Sequence, residues 1–327
     1  VIQSALSFPS FAKINWSLEV LGKRPDGYHE LATVLQTISL HDELHFAPAD
    51  DDRITLVCDS PHIPTDRDNL IVRAAEALQR RYASTQGAHI SLEKRIPPKG
   101  GLGGASSNAA VTLVALAQLW KLPATAAVLL ELAADLGADV PFFLLGGCVR
   151  ATGIGTTLSP LVRSDAEPIQ PLIVVTPKAT VATPDAYAAL RAPALTTSNA
   201  APILSSSRRV ENLRDSPPWT GRGFSPDDLK NDFESVIFDI EPEIRRAKES
   251  LLQAGALGAL LAGSGSSVFG IFANREDQQQ AANKIELEPG WRIFPCVTLS
   301  RKEYLRSLGS WDILFVRSFN SGSDIGA

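Results

Sequence analysis

Residues 97–110, PPKGGLGGASSNAA, put four glycines and an alanine into six consecutive positions, with two serines directly behind them. Nothing else in the chain restricts its folding so tightly, because two different periodicities meet here. Before the stretch, HISLEKRI from His89 to Ile96 reads as a strand with Ile90, Leu92 and Ile96 on one face. Lys94 shares their parity, so it either snorkels or meets an anion at the strand end. After the stretch, Ala110, Leu113, Val114, Ala117 and Trp120 fall at helical spacing, which predicts a helix from about Ser106 to Trp120. Strand, glycine loop and helix in that order suit anion binding. Missing Cβ atoms let backbone N–H groups approach phosphate oxygens, and the helix N-terminus adds about +0.5 of an elementary charge. The loop is not Walker A, since no Gly-Lys-Ser/Thr closes it, and not GxGxxG, since the sixth position from Gly101 is Ser106. Ser106 and Ser107 would add hydroxyl donors, and either is able to touch a Mg²⁺ ion. The plain alternative is a flexible loop with a serine cap; four glycines at this junction weigh toward phosphate.

The 327 residues suit two domains of ordinary size. The expected division is 1–168, 169–303 and a Gly/Ser-rich tail over 304–327 that frays beyond about Tyr304. Phe11 to Val20 alternates, with Ile14, Trp16, Leu18 and Val20 on one face and Lys13, Asn15 and Ser17 on the other, a half-buried strand. Pro25-Asp26-Gly27 is a turn, and Tyr28 and His29 follow it directly. Leu31–Leu40 and Glu43–Phe46 read as two further strands. Helices are predicted over Asp68–Tyr82 and Thr125–Leu136, the latter with Gly137 as a left-handed exit. Asp139-Val140-Pro141 resembles another helix start, with Asp139 at the cap. Residues 151–168 read as loops and a strand, Leu172–Thr176 opens the second domain, and 192–226 is a long surface loop. LAGSGSSVFGIF supplies a second small-residue turn ahead of a strand.

Composition narrows the class. A net charge of -5 offers no basic field for nucleic acid. No apolar run approaches the ~18 residues that span a bilayer, and VIQSALSFPSFAKIN lacks a secretory pattern. Cys58, Cys148 and Cys296 show no metal spacing and suggest free thiols in a reducing compartment. The expectation is a cytoplasmic protein with a small-molecule partner, no nucleic acid and no membrane, either a monomer or a homodimer.

Two candidate groups each carry two readings. Asp139 is a helix cap or a base that takes a proton from a hydroxyl nucleophile. Lys13 beside Asn15 is a solvated strand lysine or, paired with Asp139, the charge that lowers the cost of alkoxide formation. His41 and His45 in HDELH lack the Glu and the helix that a zinc protease needs. No GxSxG elbow and no HRD or DFG occurs.

FAKIN, PxxxGLGGxSSNAA and the late LAGSGSSVFG together resemble the GHMP kinase superfamily, small-molecule kinases related to galactokinase, homoserine kinase and mevalonate kinase. With FAKINWSLEVLGKRPDGYHEL, DNLIVRAA and LGADVPFF, the similarity covers about residues 7–303. It runs nearest to members whose acceptor carries a cytosine base. The resemblance implies an α+β fold of two domains. The first is of ribosomal-protein-S5-like type, and the second is a ferredoxin-like α/β sandwich on a βαββαβ plan. It implies ATP and Mg²⁺, with Asp139 catalytic and Lys13 stabilising the ionised pair. Lys94, Pro97, Gly100, Gly101, Leu102, Gly103, Gly104, Ala105, Ser106 and Ser107 would bind ATP. Asn15, Tyr28, His29, Thr183, Tyr187, Gly263, Ser264 and Gly265 would meet the acceptor, with Tyr28 and His29 holding the base. Ala105 departs from a common third glycine, Lys99 is an added charge, and the tail beyond Tyr304 has no counterpart. A mevalonate, homoserine or sugar kinase and a catalytically silent nucleotide-binding module stand as alternatives. Tyr28 and His29 weigh against the first, and Lys13 with Asp139 against the second.

Overall fold

The computed structural model describes residues 5–161, 169–195 and 229–309. The first domain is built on two long antiparallel strands, β1 (Leu6–Lys23) and β2 (His29–Pro48), joined by the expected Pro-Asp-Gly turn. β2 runs unbroken where two strands were expected, because Asp42 in its middle finds partners inside the protein. β3 (Ile54–Cys58) and β4 (Ala88–Glu93) extend the sheet in the order β3-β4-β2-β1. β5 (Cys148–Gly153) and β6 (Thr157–Pro160) form a hairpin that pairs with β2 near the turn.

Four helices cover one face of this sheet. α1 (Leu70–Tyr82) starts two residues later than expected, with the Asn69 side chain capping Ile71 N–H. α2 (Gly104–Leu119) follows the glycine loop and is buried nearly all round, not along a single stripe. It packs against the sheet and against α1, α3 (Ala126–Leu136) and α4 (Val140–Leu145). Gly137 after α3 has φ of 163°, an extended conformation rather than the left-handed exit expected.

The second domain places β7 (Pro171–Thr176), β9 (Gly258–Leu261), β10 (Val268–Ile271) and β11 (Arg292–Val297) in the antiparallel order β11-β7-β10-β9. Helices α5 (Thr183–Leu190), α6 (Glu234–Ile240), α7 (Pro242–Gln253) and α8 (Arg275–Lys284) complete the βαββαβ plan of a ferredoxin-like sandwich. Most of the expected 192–226 loop lies outside the described residues.

Several described segments cross between domains; Ala194, for one, bridges to Lys23 at the end of β1. β8 (Lys230–Asn231) pairs in parallel with β1 at Ser17 and Leu18, and α9 (Arg301–Ser307) returns to the first domain. There Tyr304, Leu305 and Leu308 are buried in the first domain's core, and the Tyr304 ring lies 5.8 Å from that of Phe11. The expected tail therefore does not fray at Tyr304; its first turn is core helix, and 310–327 lie outside the described residues. β1 is likewise not half-buried. Its Ala12, Ile14 and Trp16 face joins Leu172, Val174, Leu260 and Phe269 of the second sheet in one apolar cluster. Lys13 and Asn15 project from the opposite face and are buried as well. No described helix is long and apolar enough to cross a membrane.

Candidate active site

A cleft of about 1330 Å³ lies between the two domains. Its walls take Lys13 and Asn15 from β1, Tyr28 and His29 from the turn, Lys94 from the end of β4, and the whole loop from Pro97 to Ser106. Asp139 comes from the start of α4, Thr183 and Tyr187 from α5, and Gly263 and Ser264 from the β9–β10 turn. Two expected residues do not reach it. Ser107 is fully buried, and its hydroxyl accepts a hydrogen bond from Ser10 Oγ at 2.8 Å. Gly265 faces Leu261 and Ile237 inside the second domain.

Lys13 and Asp139 meet. Lys13 Nζ stands 3.9 Å from Asp139 Oδ2 and donates to Asn15 Oδ1 at 2.8 Å, and Asn15 in turn donates to Thr33 Oγ1. The lysine side chain is 5% exposed and the aspartate 44%. Burial pulls the Lys13 pKa below its ordinary 10.5, and the Asp139 charge opposes that shift. Asp139 occupies the cap position of α4 without making a side-chain cap bond, so its carboxylate is left for the cleft.

The glycines have a second physical reason beyond phosphate. A Cβ at Gly101 would lie 1.9 Å from the Ala262 carbonyl oxygen, and one at Gly103 would lie 2.7 Å from the Phe143 ring. Ser267 N–H donates to the Gly100 carbonyl, and Lys13 N–H to that of Leu102. The glycine loop is thus interlocked with β1 on one side and with the second domain's turn on the other. Gly101 and Gly103 adopt φ of 75° and 72°, which favour glycine.

Lys94 enters the cleft wall with its charge already met. Its Nζ donates to both Asp42 oxygens at 2.9 and 3.1 Å and to the Ile96 carbonyl. Asp42 is fully buried and also accepts from Arg95 N–H, Ile96 N–H and Asn108 Nδ2. Sequence reasoning had weighed HDELH only as a metal motif and missed Asp42 as the carboxylate that shapes the loop's entry. Asn108, one turn into α2, was missed too, having no signal beyond a polar residue in an apolar run.

At the other end, the His29 ring stacks on Tyr187 at 4.6 Å with 22° between planes, while Tyr28 is 63% exposed. Burial, and secondly Lys23, lower the His29 pKa. Burial, with the Asp139 charge behind it, pushes the Tyr187 phenol up to about 12. Thr183 Oγ1 and Ser264 Oγ are 3.0 Å apart, which closes the second-domain wall.

Residues 69–147 match the family described as GHMP kinases N terminal domain, and residues 222–289 match GHMP kinases C terminal. Fold and site thus define a GHMP kinase. The chain is 41% identical over 274 residues to a 4-diphosphocytidyl-2-C-methyl-D-erythritol kinase of Pelotomaculum thermopropionicum, covering 83% of this chain and 90% of the relative. It is 42% identical over 282 residues to the same-named kinase of Synechococcus sp. (strain JA-3-3Ab), covering 84% and 87%. A crystal structure of 4-(cytidine 5'-diphospho)-2C-methyl-D-erythritol kinase superposes with a TM-score of 0.68 at 33% identity, over 90% of this chain and 99% of that one. The chain belongs to the 4-diphosphocytidyl-2-C-methyl-D-erythritol kinase family. A homoserine kinase from Cytophaga hutchinsonii, 20% identical with a TM-score of 0.65 over 90% of this chain and 95% of that one, shares the fold.

Proposed function

We propose that the protein transfers the γ-phosphoryl group of ATP to the 2-hydroxyl of 4-diphosphocytidyl-2-C-methyl-D-erythritol, giving the 2-phosphate and ADP, a step in isoprenoid biosynthesis. The observation that carries this reading is one cleft that joins the Lys13–Asp139 pair, the glycine loop and the His29–Tyr187 stack, in a chain about 41% identical to such a kinase.

The acceptor hydroxyl is tertiary, hindered and weakly acidic, so positioning and charge stabilisation supply most of the rate. Asp139 accepts the hydroxyl proton on its exposed carboxylate. Lys13 sets a positive charge 3.9 Å from that carboxylate, and Asn15, hydrogen-bonded on both sides, orients Lys13 and faces the acceptor. Backbone N–H groups of the glycine loop and the start of α2 receive the phosphates. In this reading a Mg²⁺ ion bound with ATP would supply positive charge to offset that of the phosphates. Ser106 fits such an ion, because it lines the cleft in the first turn of α2, whereas Ser107 is turned into the core. Tyr28, His29 and Tyr187 offer the ring faces and polar edges that a cytosine base needs. The Lys94 ammonium, held by Asp42, contributes as a fixed part of the loop's frame.

The test is ADP release with Mg·ATP and a panel of acceptors: the cytidine compound, its uridine analogue, mevalonate, homoserine and galactose. Turnover with the cytidine compound alone is expected. Turnover with mevalonate, homoserine or galactose would reassign the acceptor, and ATP binding without any turnover would make the chain a silent module.

A further inference from the structure

The second domain meets the Lys13 ammonium at its β9–β10 turn, and a buried side chain holds that turn. Gly263, with φ of 57°, abuts Lys13 so closely that a Cβ there would lie 3.1 Å from Lys13 Nζ and 3.0 Å from the Gly101 carbonyl oxygen. Asn231 is 5% exposed and uses its whole amide. Nδ2 donates to the Leu261 carbonyl at 2.9 Å and the Gly263 carbonyl at 2.7 Å, and Oδ1 accepts from Phe233 N–H at 3.0 Å. The same short segment is stitched to β1, the strand that carries Lys13. Asn231 pairs with Leu18 in register, Asp232 N–H donates to the Leu18 carbonyl, and Asp232 Oδ2 accepts from Val20 N–H.

We propose that Asn231 is a positioning residue for phosphoryl transfer, fixing the Gly263 turn of the second domain against the Lys13 ammonium on β1. The inference rests on the roles given above to Lys13 and Asp139. Asn231 acts through Gly263 and lies outside the cleft wall, so ATP binding is not its task. The geometry it maintains is that of the ammonium, which a displacement of the turn by a fraction of an ångström would loosen.

Steady-state kinetics on the full chain test this with Asn231→Ala and with Asn231→Asp, which keeps the shape and loses the donor. A fall in kcat of roughly tenfold or more is expected in both, with KM for ATP within about threefold of wild type. Asn274→Ala is the comparison, since it removes the cap of α8 in the same domain far from Lys13, and its kcat should be unchanged. Wild-type kcat in either Asn231 variant overturns the proposal, and so does an equal kcat loss in Asn274→Ala. Lys13→Met separates the two levels of the argument. If that variant turns over at the wild-type rate, the reading of the site fails, whatever Asn231 does.

Discussion

Lys13 is buried on a strand that is covered on both faces, and its nearest charge, Asp139, is 3.9 Å away and 44% exposed. Burial therefore outweighs attraction, and the folded-state pKa lies below 10.5. Between that lowered value and 10.5 the unfolded chain binds more protons than the folded one, so stability gains from rising pH in that window. Lys13→Met removes the gain. Melting curves of both proteins, taken from neutrality up toward pH 10.5, should show wild type rising relative to the variant; parallel curves would mean that the ammonium is not desolvated. Asp139 is the complementary case, because its carboxylate makes no cap bond and meets Lys13 only at 3.9 Å, which leaves it open to the cleft. Asp139→Asn should abolish turnover and leave ATP affinity nearly intact, as isothermal titration can check. A residual rate above roughly a tenth of wild type would remove Asp139 as the base. Asp139 and Lys13 could be named from the sequence as residue types, but their pairing came only from the resemblance, since 126 positions and six elements separate them.

At the scale of elements, what was legible followed from local chemistry, and what was missed depended on partners far along the chain. The helices over 70–82 and 126–136, the turn at 25–27 and the glycine loop each carry their own periodicity, cap or turn residues. β2 does not announce its continuity, because a polar Asp42 interrupts the apolar alternation. Its charge is answered by Lys94, 52 residues away, by two backbone N–H groups and by Asn108 on α2. That carboxylate ties β2 to the strand end before the loop and to the helix after it. Asp42→Asn leaves the Lys94 ammonium buried without its counter-charge. Urea unfolding should show a loss of about 3 kcal/mol, the usual result of breaking a buried pair from one end. A loss below about 1 kcal/mol, typical of exposed pairs, would mean that water reaches the site. The same distance explains the partial account of the glycines: phosphate was a sufficient reason, but the Ala262 carbonyl against Gly101 was invisible from sequence.

For the whole molecule, the two domains are bound by shared structure as well as by the cleft. The Trp16 face of β1 packs on the second sheet, with its ring edge-on to Phe269 at 5.7 Å, while β8 and α9 carry the chain back to the first domain. α9 was legible only as the start of a tail, because seven residues are too few for a periodicity to speak. Yet Ser300 and Glu303 form a full capping box, and Tyr304 enters the core behind the active site. Its hydroxyl donates to the Phe143 carbonyl, and its ring occupies the space a side chain at Gly146 would need. Phe143 in turn presses on Gly103 of the glycine loop, so the last described helix braces the loop from behind. Two variants separate ring from hydroxyl. Tyr304→Phe should lose about 1 kcal/mol, the net worth of one buried hydrogen bond. Tyr304→Ala should lose about 3–5 kcal/mol through the cavity it leaves. Chemical denaturation of each distinguishes a core residue from a tail residue, because a chain that truly frayed at 304 would tolerate both changes within about 0.5 kcal/mol. The larger loss would place Tyr304 in the first domain's core and make α9 part of the frame on which ATP is held.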